Sequence, residues 1–189
     1  NKKEDIEKAE VYIMPGVGAF PEAIKNLKRL GILEVISKEV LANKKPILGI
    51  CLGMQIMADY SEENGYHKGL GWIKGGFVKL EPRLRQGYDG QAKSNFRVPH
   101  VGWNDVKIIK KEPLFSKVDQ GASFYFDHSY NFKGEKEFIS GLCQYGSDVV
   151  AAFQKENIFG VQFHPEKSQN NGLKLFRSFF NYLNIHPVK

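Results

Sequence analysis

Apolar residues along this chain fall in short blocks whose spacing alternates between that of buried strands and that of helices. Val11-Tyr12-Ile13-Met14 is an apolar run of strand length, stopped by Pro15-Gly16-Val17-Gly18, where the glycines permit an abrupt change of backbone direction. Phe20, Ile24, Leu27 and Leu30 then recur at helical spacing; Gly31 interrupts, and Ile32, Val35, Ile36 and Val40 continue on a second apolar face. Asn43-Lys44-Lys45-Pro46 breaks that helix before a second strand-length run, Ile47-Leu48-Gly49-Ile50, and residues 52–60 read as a short helix. Strand, helix, strand, helix predicts an α/β fold, a mostly parallel central sheet with helices on both faces.

The pattern then changes. Gly65, Gly69, Gly71, Gly75 and Gly76 predict loop and turn, residues 77–80 a strand, and residues 81–97 an exposed excursion. Strand candidates follow at short spacing over 106–109, 123–126, 138–143, 149–153 and 158–163, so the second half is β-rich. Leu173, Leu175, Phe176, Phe179, Phe180 and Leu183 predict a closing amphipathic helix whose aromatics pack into the core. No repeat or low-complexity segment divides the chain, and residues 1–189 are expected to form one domain.

Composition narrows the function classes. The 27 Lys and Arg against 21 Asp and Glu give a formal charge of +6, but the positives are scattered rather than gathered into a stripe, so no nucleic-acid footprint is expected. Without a long apolar span, and with no secretory leader expected, the two cysteines, Cys51 and Cys143, fit a reducing, cytoplasmic setting without a structural disulfide. His67, His100 and His186 are not spaced as metal ligands, so neither metal nor cofactor is expected. The polar stretch from Asn1 to Glu10 has no initiator Met and leads straight into an apolar run, which reads as a trimmed start.

Three segments can carry chemistry. Cys51 follows an apolar strand and precedes a helix, between Gly49 and Gly53, as a nucleophile on a tight strand-to-helix elbow would. A thiol over a helix N-terminus is expected to be drawn toward thiolate. Taken alone, Cys51 reads equally as an inert buried thiol. His164 ends the apolar run Ile158-Phe159-Gly160-Val161-Gln162-Phe163, and parallel strands would bring it to the sheet edge that holds Cys51. Glu166, two residues on across a stiff Pro165, can hydrogen-bond the imidazole; taken alone, such a pair reads as a surface turn. The glycine turn at 15–18 can offer backbone N–H groups to an oxyanion, together with the Leu52 N–H, although a lone Pro-Gly-x-Gly also serves simply to end a strand.

These segments, Pro15-Gly16-Val17-Gly18-Ala19-Phe20, Gly49-Ile50-Cys51-Leu52-Gly53-Met54-Gln55 and Phe163-His164-Pro165-Glu166-Lys167-Ser168-Gln169, resemble the motifs of class I (triad) glutamine amidotransferases. With Val98-Pro99-His100-Val101-Gly102-Trp103-Asn104 and Phe124-Tyr125-Phe126-Asp127-His128-Ser129-Tyr130, the chain is similar to the glutaminase subunits of imidazole glycerol phosphate synthases, over nearly its whole length. The resemblance implies a flavodoxin-like sheet and a Cys51, His164, Glu166 triad that hydrolyses glutamine through an acyl-enzyme. It further implies oxyanion donors at Val17 and Leu52, glutamine contacts from Gly16, Gly18, Gln55, Glu63, Ser129 and Tyr130, and a partner face containing Tyr125, Lys167 and Trp103. The partner would be a (β/α)₈-barrel synthase subunit that receives the ammonia, forming a heterodimer for histidine biosynthesis.

Two departures from the family pattern stand out. The family opens with a strand and a glycine-rich turn upstream of anything like residues 1–10, so the first strand of the sheet is expected to be missing. Asp127 stands where the family carries an apolar residue, and the excursion at 81–97 is longer than usual. Those differences keep open a paralogue that supplies ammonia for amidation of a surface sugar. The other readings are a non-catalytic interaction module of the same fold, against which an intact triad counts, and a cysteine peptidase, which would not need Gln55.

Overall fold

The computed structural model describes residues 3–81, 85–86, 92–93 and 97–185. Its helices are α1 (Lys3–Lys8), α2 (Phe20–Arg29), α3 (Leu33–Ser37), α4 (Leu52–Ile56) and α5 (Gln169–Ile185), with a π-helical turn, Lys38–Ala42, continuing α3. The strands are β1 (Tyr12–Gly16), β2 (Ile47–Cys51), β3 (Ala58–Ser61), β4 (His67–Lys68), β5 (Ile73–Lys79), β6 (Arg85–Gln86) and β7 (Ala92–Lys93), then β8 (His100–Ile108), β9 (Ser123–His128), β10 (Tyr130–Gly134), β11 (Ile139–Tyr145), β12 (Ser147–Lys155) and β13 (Ile158–Val161). A seven-stranded sheet runs β1-β2-β13-β12-β11-β8-β9, and a four-stranded sheet runs β10-β5-β3-β4.

Within this α/β architecture the parallel register belongs to β1, β2 and β13, whose pairs include Gly16 with Cys51 and Val161 with Ile50. The remaining pairs, β13-β12, β12-β11, β11-β8 and β8-β9, are antiparallel. Short connections dictate two of these pairs: Gly146 alone links β11 to β12, and Glu156 and Asn157 link β12 to β13, turns so tight that they can join only antiparallel neighbours. Of the parallel neighbours, β1 and β2 are joined by the helices α2 and α3, whereas β2 and β13 are joined through residues 52–157, which carry α4 and all the intervening strands.

Strand β2 is buried along its whole length, because both faces of the sheet are covered. Its alternate side chains go to opposite cores. Leu48 and Ile50 join Phe159, Val161, Phe163, Leu175 and Phe179 beneath α5, whereas Ile47 joins Ile36, Val40, Met54, Trp72 and Phe77 on the other face. Phe20, Ile24, Leu52 and Ile56 form a smaller cluster where α2 packs on α4.

Several expected elements are corrected. The helix after Cys51 stops at Ile56 rather than running to residue 60, and Ala58–Ser61 turns into a strand because β5 lies parallel beside it and supplies ladder partners. The glycine-rich region is not all turn. Gly75 and Gly76 lie within β5, where a Cβ on Gly76 would sit 2.3 Å from the Tyr60 ring and one on Gly75 2.5 Å from the Lys133 carbonyl. These glycines are there for close packing across the small sheet. In α5, Leu175 and Phe179 are core residues as expected, but Leu173 and Phe180 face solvent. Of the excursion at 81–97, only Glu81, Arg97 and the backbone of the β6-β7 hairpin lie within the described residues.

Candidate active site

The parallel register of β2 and β13 carries both chemical segments to one edge. Cys51 is the last residue of β2, and His164 lies just beyond the end of β13. At Cys51 the chain turns with φ of 53° and ψ of −110°, a backbone state that side chains rarely adopt. The flanking glycines make the turn possible. A Cβ on Gly49 would come 2.7 Å from the Met54 nitrogen, and one on Gly53 1.7 Å from the Met14 carbonyl oxygen. The elbow expected from spacing is therefore present, wedged against the end of β1.

A cavity of about 310 Å³ opens at this edge, lined by Val17, Gly18, Cys51, Leu52, Gln55, Glu63, Ser129, Tyr130, His164 and Lys167, with Pro99, Asp127 and His128 completing the wall. Most of the residues singled out from sequence thus converge on one space. Gly16, Glu166, Tyr125 and Trp103 do not line it. Gly16 pairs with Cys51 at the end of β1, where a Cβ would meet that of Leu52 at 3.0 Å, so its place is beneath the elbow.

The imidazole of His164 is buried, and its Nδ1 lies 2.7 Å from Oε1 of the half-exposed Glu166. A carboxylate can only accept, so Nδ1 carries the hydrogen and Nε2 is left as the basic nitrogen. The turn that holds this pair is braced from β9. The Tyr125 carbonyl accepts from the His164 N–H at 2.8 Å, and the Ser168 hydroxyl donates to the His164 carbonyl at 2.6 Å while accepting from the Tyr125 N–H at 3.0 Å. On the outer side of that brace the Lys167 ammonium lies 5.4 Å from the Tyr125 ring centre, and Trp103 meets Tyr125 edge-on at 6.2 Å. Trp103, Tyr125 and Lys167 thus form one surface beside the cavity, with Trp103 48% exposed.

The thiol differs from expectation. Burial pushes Cys51 up to about 11; the Asp127 and Glu166 carboxylates add to the rise, and the Leu52 N–H and Lys167 only partly oppose it. Helix α4 has five residues, too short for its dipole to outweigh desolvation. In this resting arrangement the thiol hydrogen points to the Asp127 carbonyl oxygen, 3.8 Å from Sγ.

Around the thiol, Gln55 lines the cavity while its Nε2 donates to Gln162 Oε1 at 3.2 Å. Glu63 uses Oε2 to accept from the Phe20 N–H at 2.8 Å, which ties it to the start of α2. Val17 is 83% exposed at the tip of the glycine turn.

Three further residues were not assigned to the site from sequence. Asp127 was legible as a departure from pattern, but not as a wall of the cavity. His128 sits in a buried imidazole pair, its Nε2 3.0 Å from His100 Nδ1 and its own Nδ1 2.8 Å from the Tyr130 carbonyl oxygen. Gln162, fully buried, donates to Cys51 Sγ at 3.7 Å. Its signal was available: it is the one polar side chain in an otherwise apolar strand run, two residues before His164. Among the described residues no cluster of three His, Cys, Asp or Glu could hold a metal ion. No helix among them is long and apolar enough to cross a membrane.

Residues 1–182 match the family described as "Glutamine amidotransferase class-I". The chain is 48% identical over 176 residues, 93% of its length and 83% of the relative's, to the imidazole glycerol phosphate synthase subunit HisH 1 of Campylobacter jejuni strain RM1221. It is 43% identical over 185 residues, 98% of its length and 82% of the relative's, to subunit HisH 2 of Vibrio vulnificus. Among solved structures, a glutamine amidotransferase crystal structure superposes with a TM-score of 0.69 at 19% identity, covering 97% of this chain and 84% of that one. The glutaminase domain of Trypanosoma brucei CTPS superposes at 0.58 and 16% identity, covering 95% and 74%. Those two likenesses speak for the fold.

Proposed function

This chain belongs to the class I glutamine amidotransferases, and from that premise we propose that it is the glutaminase subunit of an imidazole glycerol phosphate synthase, hydrolysing glutamine and passing the ammonia to a cyclase subunit. The observation that carries the reading is the meeting of Cys51, His164, Gln55, Glu63 and the Val17-Gly18 turn on one cavity of about 310 Å³, in a chain 48% identical to a named subunit of that synthase.

The arrangement supports the following steps. His164 Nε2 takes the Cys51 proton as the sulfur attacks the side-chain carbonyl of glutamine, which offsets the cost of ionising a thiol held near 11. The Val17 and Leu52 N–H groups receive the oxyanion. As the carbon–nitrogen bond breaks, His164 returns the proton to the leaving nitrogen and ammonia departs, leaving a thioester on Cys51. Water, deprotonated by His164, then releases glutamate. Glu166 keeps the imidazole in the tautomer that both steps need. Gly16, through its place beneath the elbow, and Gly18, Gln55, Glu63, Ser129 and Tyr130, on the cavity wall, hold the amino acid. Glu63 supplies a carboxylate for its ammonium.

Ammonia must reach its acceptor unprotonated, which calls for a partner sealed over the cavity mouth. Trp103, Tyr125 and Lys167 are the partner face in this reading, and a (β/α)₈ barrel is the partner. Both cysteines are free, in keeping with a cytoplasmic enzyme of one domain. In the assembled enzyme, Cys51→Ala is expected to abolish glutamine-dependent synthesis while synthesis from added ammonium persists. Glutamine hydrolysis by that variant would overturn the nucleophile assignment.

A second reading, a paralogue feeding the amidation of a surface sugar, is favoured by one observation. The relatives bear numbered names, HisH 1 and HisH 2, and a duplicated glutaminase can keep its glutamine site while changing its acceptor. Co-purification with each candidate acceptor subunit, reading ammonia transfer, separates the two.

A further inference from the structure

Gln162 has no part in the steps above, yet it touches the sulfur that performs them. Its backbone N–H is anchored to the Ala151 carbonyl at 2.8 Å, just past the end of β13, and its side chain is wholly buried. The side-chain amide has two neighbours. Oε1 accepts from Gln55 Nε2 at 3.2 Å, and Nε2 donates to Cys51 Sγ at 3.7 Å. Gln55 stands one helical turn after Cys51, so Gln162 closes a ring from the nucleophile to the helix that follows it.

The ring has a direction. Gln55 presents an N–H to Gln162, and only the amide oxygen can receive it. Turned over, the amide would set two donors against each other at Gln55 and aim an oxygen lone pair at the sulfur. With Gln55 donating as it does in the structure, the Gln162 amide turns its oxygen to Gln55 and its N–H to the sulfur. We infer that Gln162 is a positioning residue of the glutaminase reaction: its amide N–H holds the Cys51 sulfur and stabilises the thiolate as the proton leaves. This rests on the reading of Cys51 as the nucleophile and adds a donor to it.

The surroundings of the sulfur make such a donor consequential. The Asp127 carbonyl oxygen accepts the thiol hydrogen in the neutral form but faces the anion with its own negative end. Among charged and titratable groups, the Asp127 and Glu166 carboxylates oppose the thiolate, Lys167 favours it, and His164, His128 and Glu63 share the cavity wall. Burial pushes the thiol up strongly. Against these stand two N–H donors, from the Leu52 backbone and the Gln162 side chain. In a site of low polarity, removing a donor to an ion costs roughly ten- to a hundredfold in the ionised population.

The test needs neither glutamine nor a partner. Alkylation of Cys51 by iodoacetamide, followed by mass spectrometry of the Cys51 peptide so that Cys143 does not interfere, reads the thiolate directly. Gln162→Met, similar in length and without an amide, is expected to be alkylated at pH 8 roughly ten- to a hundredfold more slowly than the unaltered chain, with its pH profile displaced upward. An unchanged rate and profile overturns the inference. Should the Met variant fail to fold, the unaltered chain still decides. The ¹³C resonance of the Gln162 side-chain carbonyl should move with pH in step with Cys51 alkylation and stay still in Cys51→Ala; no movement in either overturns the inference. In the assembled enzyme the Met variant should lose kcat with little change in KM. A fall in kcat at unchanged alkylation removes the role of Gln162 while leaving Cys51 as nucleophile. Glutamine hydrolysis by Cys51→Ala removes the underlying reading, whatever the alkylation shows.

Discussion

At the scale of single residues, His100 and His128 have their protons assigned by their neighbours. The Tyr130 carbonyl accepts from His128 Nδ1, so His128 Nε2 is bare and must receive the hydrogen of His100 Nδ1. His100 Nε2 is then bare in turn, facing Asn104 Nδ2 at 3.4 Å. Each ring carries one hydrogen, and a second proton on either would set donor against donor. Stacking seals the pair: His100 lies against Tyr145 and Phe126, with ring centres 3.9 and 4.7 Å away. Burial lowers His100 to about 4 and His128 to about 3. In the unfolded chain both would protonate near 6.5, so the native state binds these protons later as pH falls. Stability contributed by the neutral pair is therefore complete above about pH 6.5 and is lost on acidification, down to about 4 for His100 and about 3 for His128. Urea unfolding at pH 7 and pH 5 should differ by about 2 to 4 kcal/mol, with midpoints moving accordingly. Equal stability at the two values would mean that the rings are not held neutral.

At the scale of elements, the elbow works because α4 lies in contact with β1. The Met14 carbonyl approaches Gly53 so closely that no Cβ fits between them, and the contact sets where Cys51 emerges relative to the glycine turn at 15–18. Gly53→Ala is expected to push α4 off β1, costing about 1–3 kcal/mol as overpacking does. In a chain of this size that lowers the melting temperature by roughly 3 to 10 °C, and glutaminase activity should fall further than stability explains. A scanning calorimetry trace unchanged from that of the unaltered chain would show that the elbow has slack. Gly172 does the same for the other segment, its position leaving 1.8 Å between a Cβ and the Pro165 carbonyl oxygen, so the start of α5 is locked under the turn that carries His164 and Glu166.

At the scale of the whole molecule, the β8-β9 pair joins the cavity to an outer surface. Trp103 pairs with Tyr125 and Val101 with Asp127 across that ladder, so these four side chains share the outward face. The Asp127 carbonyl meanwhile holds the thiol, and the Tyr125 carbonyl holds the His164 backbone. A partner resting on this face would press on strands that touch both Cys51 and His164. Glutaminase activity is accordingly expected to be low in the isolated chain and to rise when the partner is bound. If this is the face that the partner covers, Trp103→Ala should weaken assembly roughly tenfold or more, measured by calorimetric titration of the partner, since a tryptophan buried on assembly is a frequent anchor. Full activity in the free chain would end the coupling argument.

What the sequence by itself determined is local. Apolar runs placed β2 and β13 within a few residues, because burial on both faces of a parallel strand leaves a continuous apolar block; β1, an edge strand with alternate residues exposed, was legible only as a short apolar run, and α5 from its helical spacing. Glycine spacing identified the elbow, and the two-residue step from His164 to Glu166 predicted their hydrogen bond, since residues two apart across a rigid proline share a side. Distance decided the rest. The fate of residues 57–61 and of Gly75 and Gly76 depended on ladders made with partners far along the chain. So did the buried imidazole pair and the hold of Gln162 on Cys51, 111 residues away. The thiol itself shows the division: spacing marked Cys51 as a candidate on an elbow, equally readable as a buried thiol, but its proton affinity follows from desolvation, a property of everything packed around it and so of the tertiary structure alone.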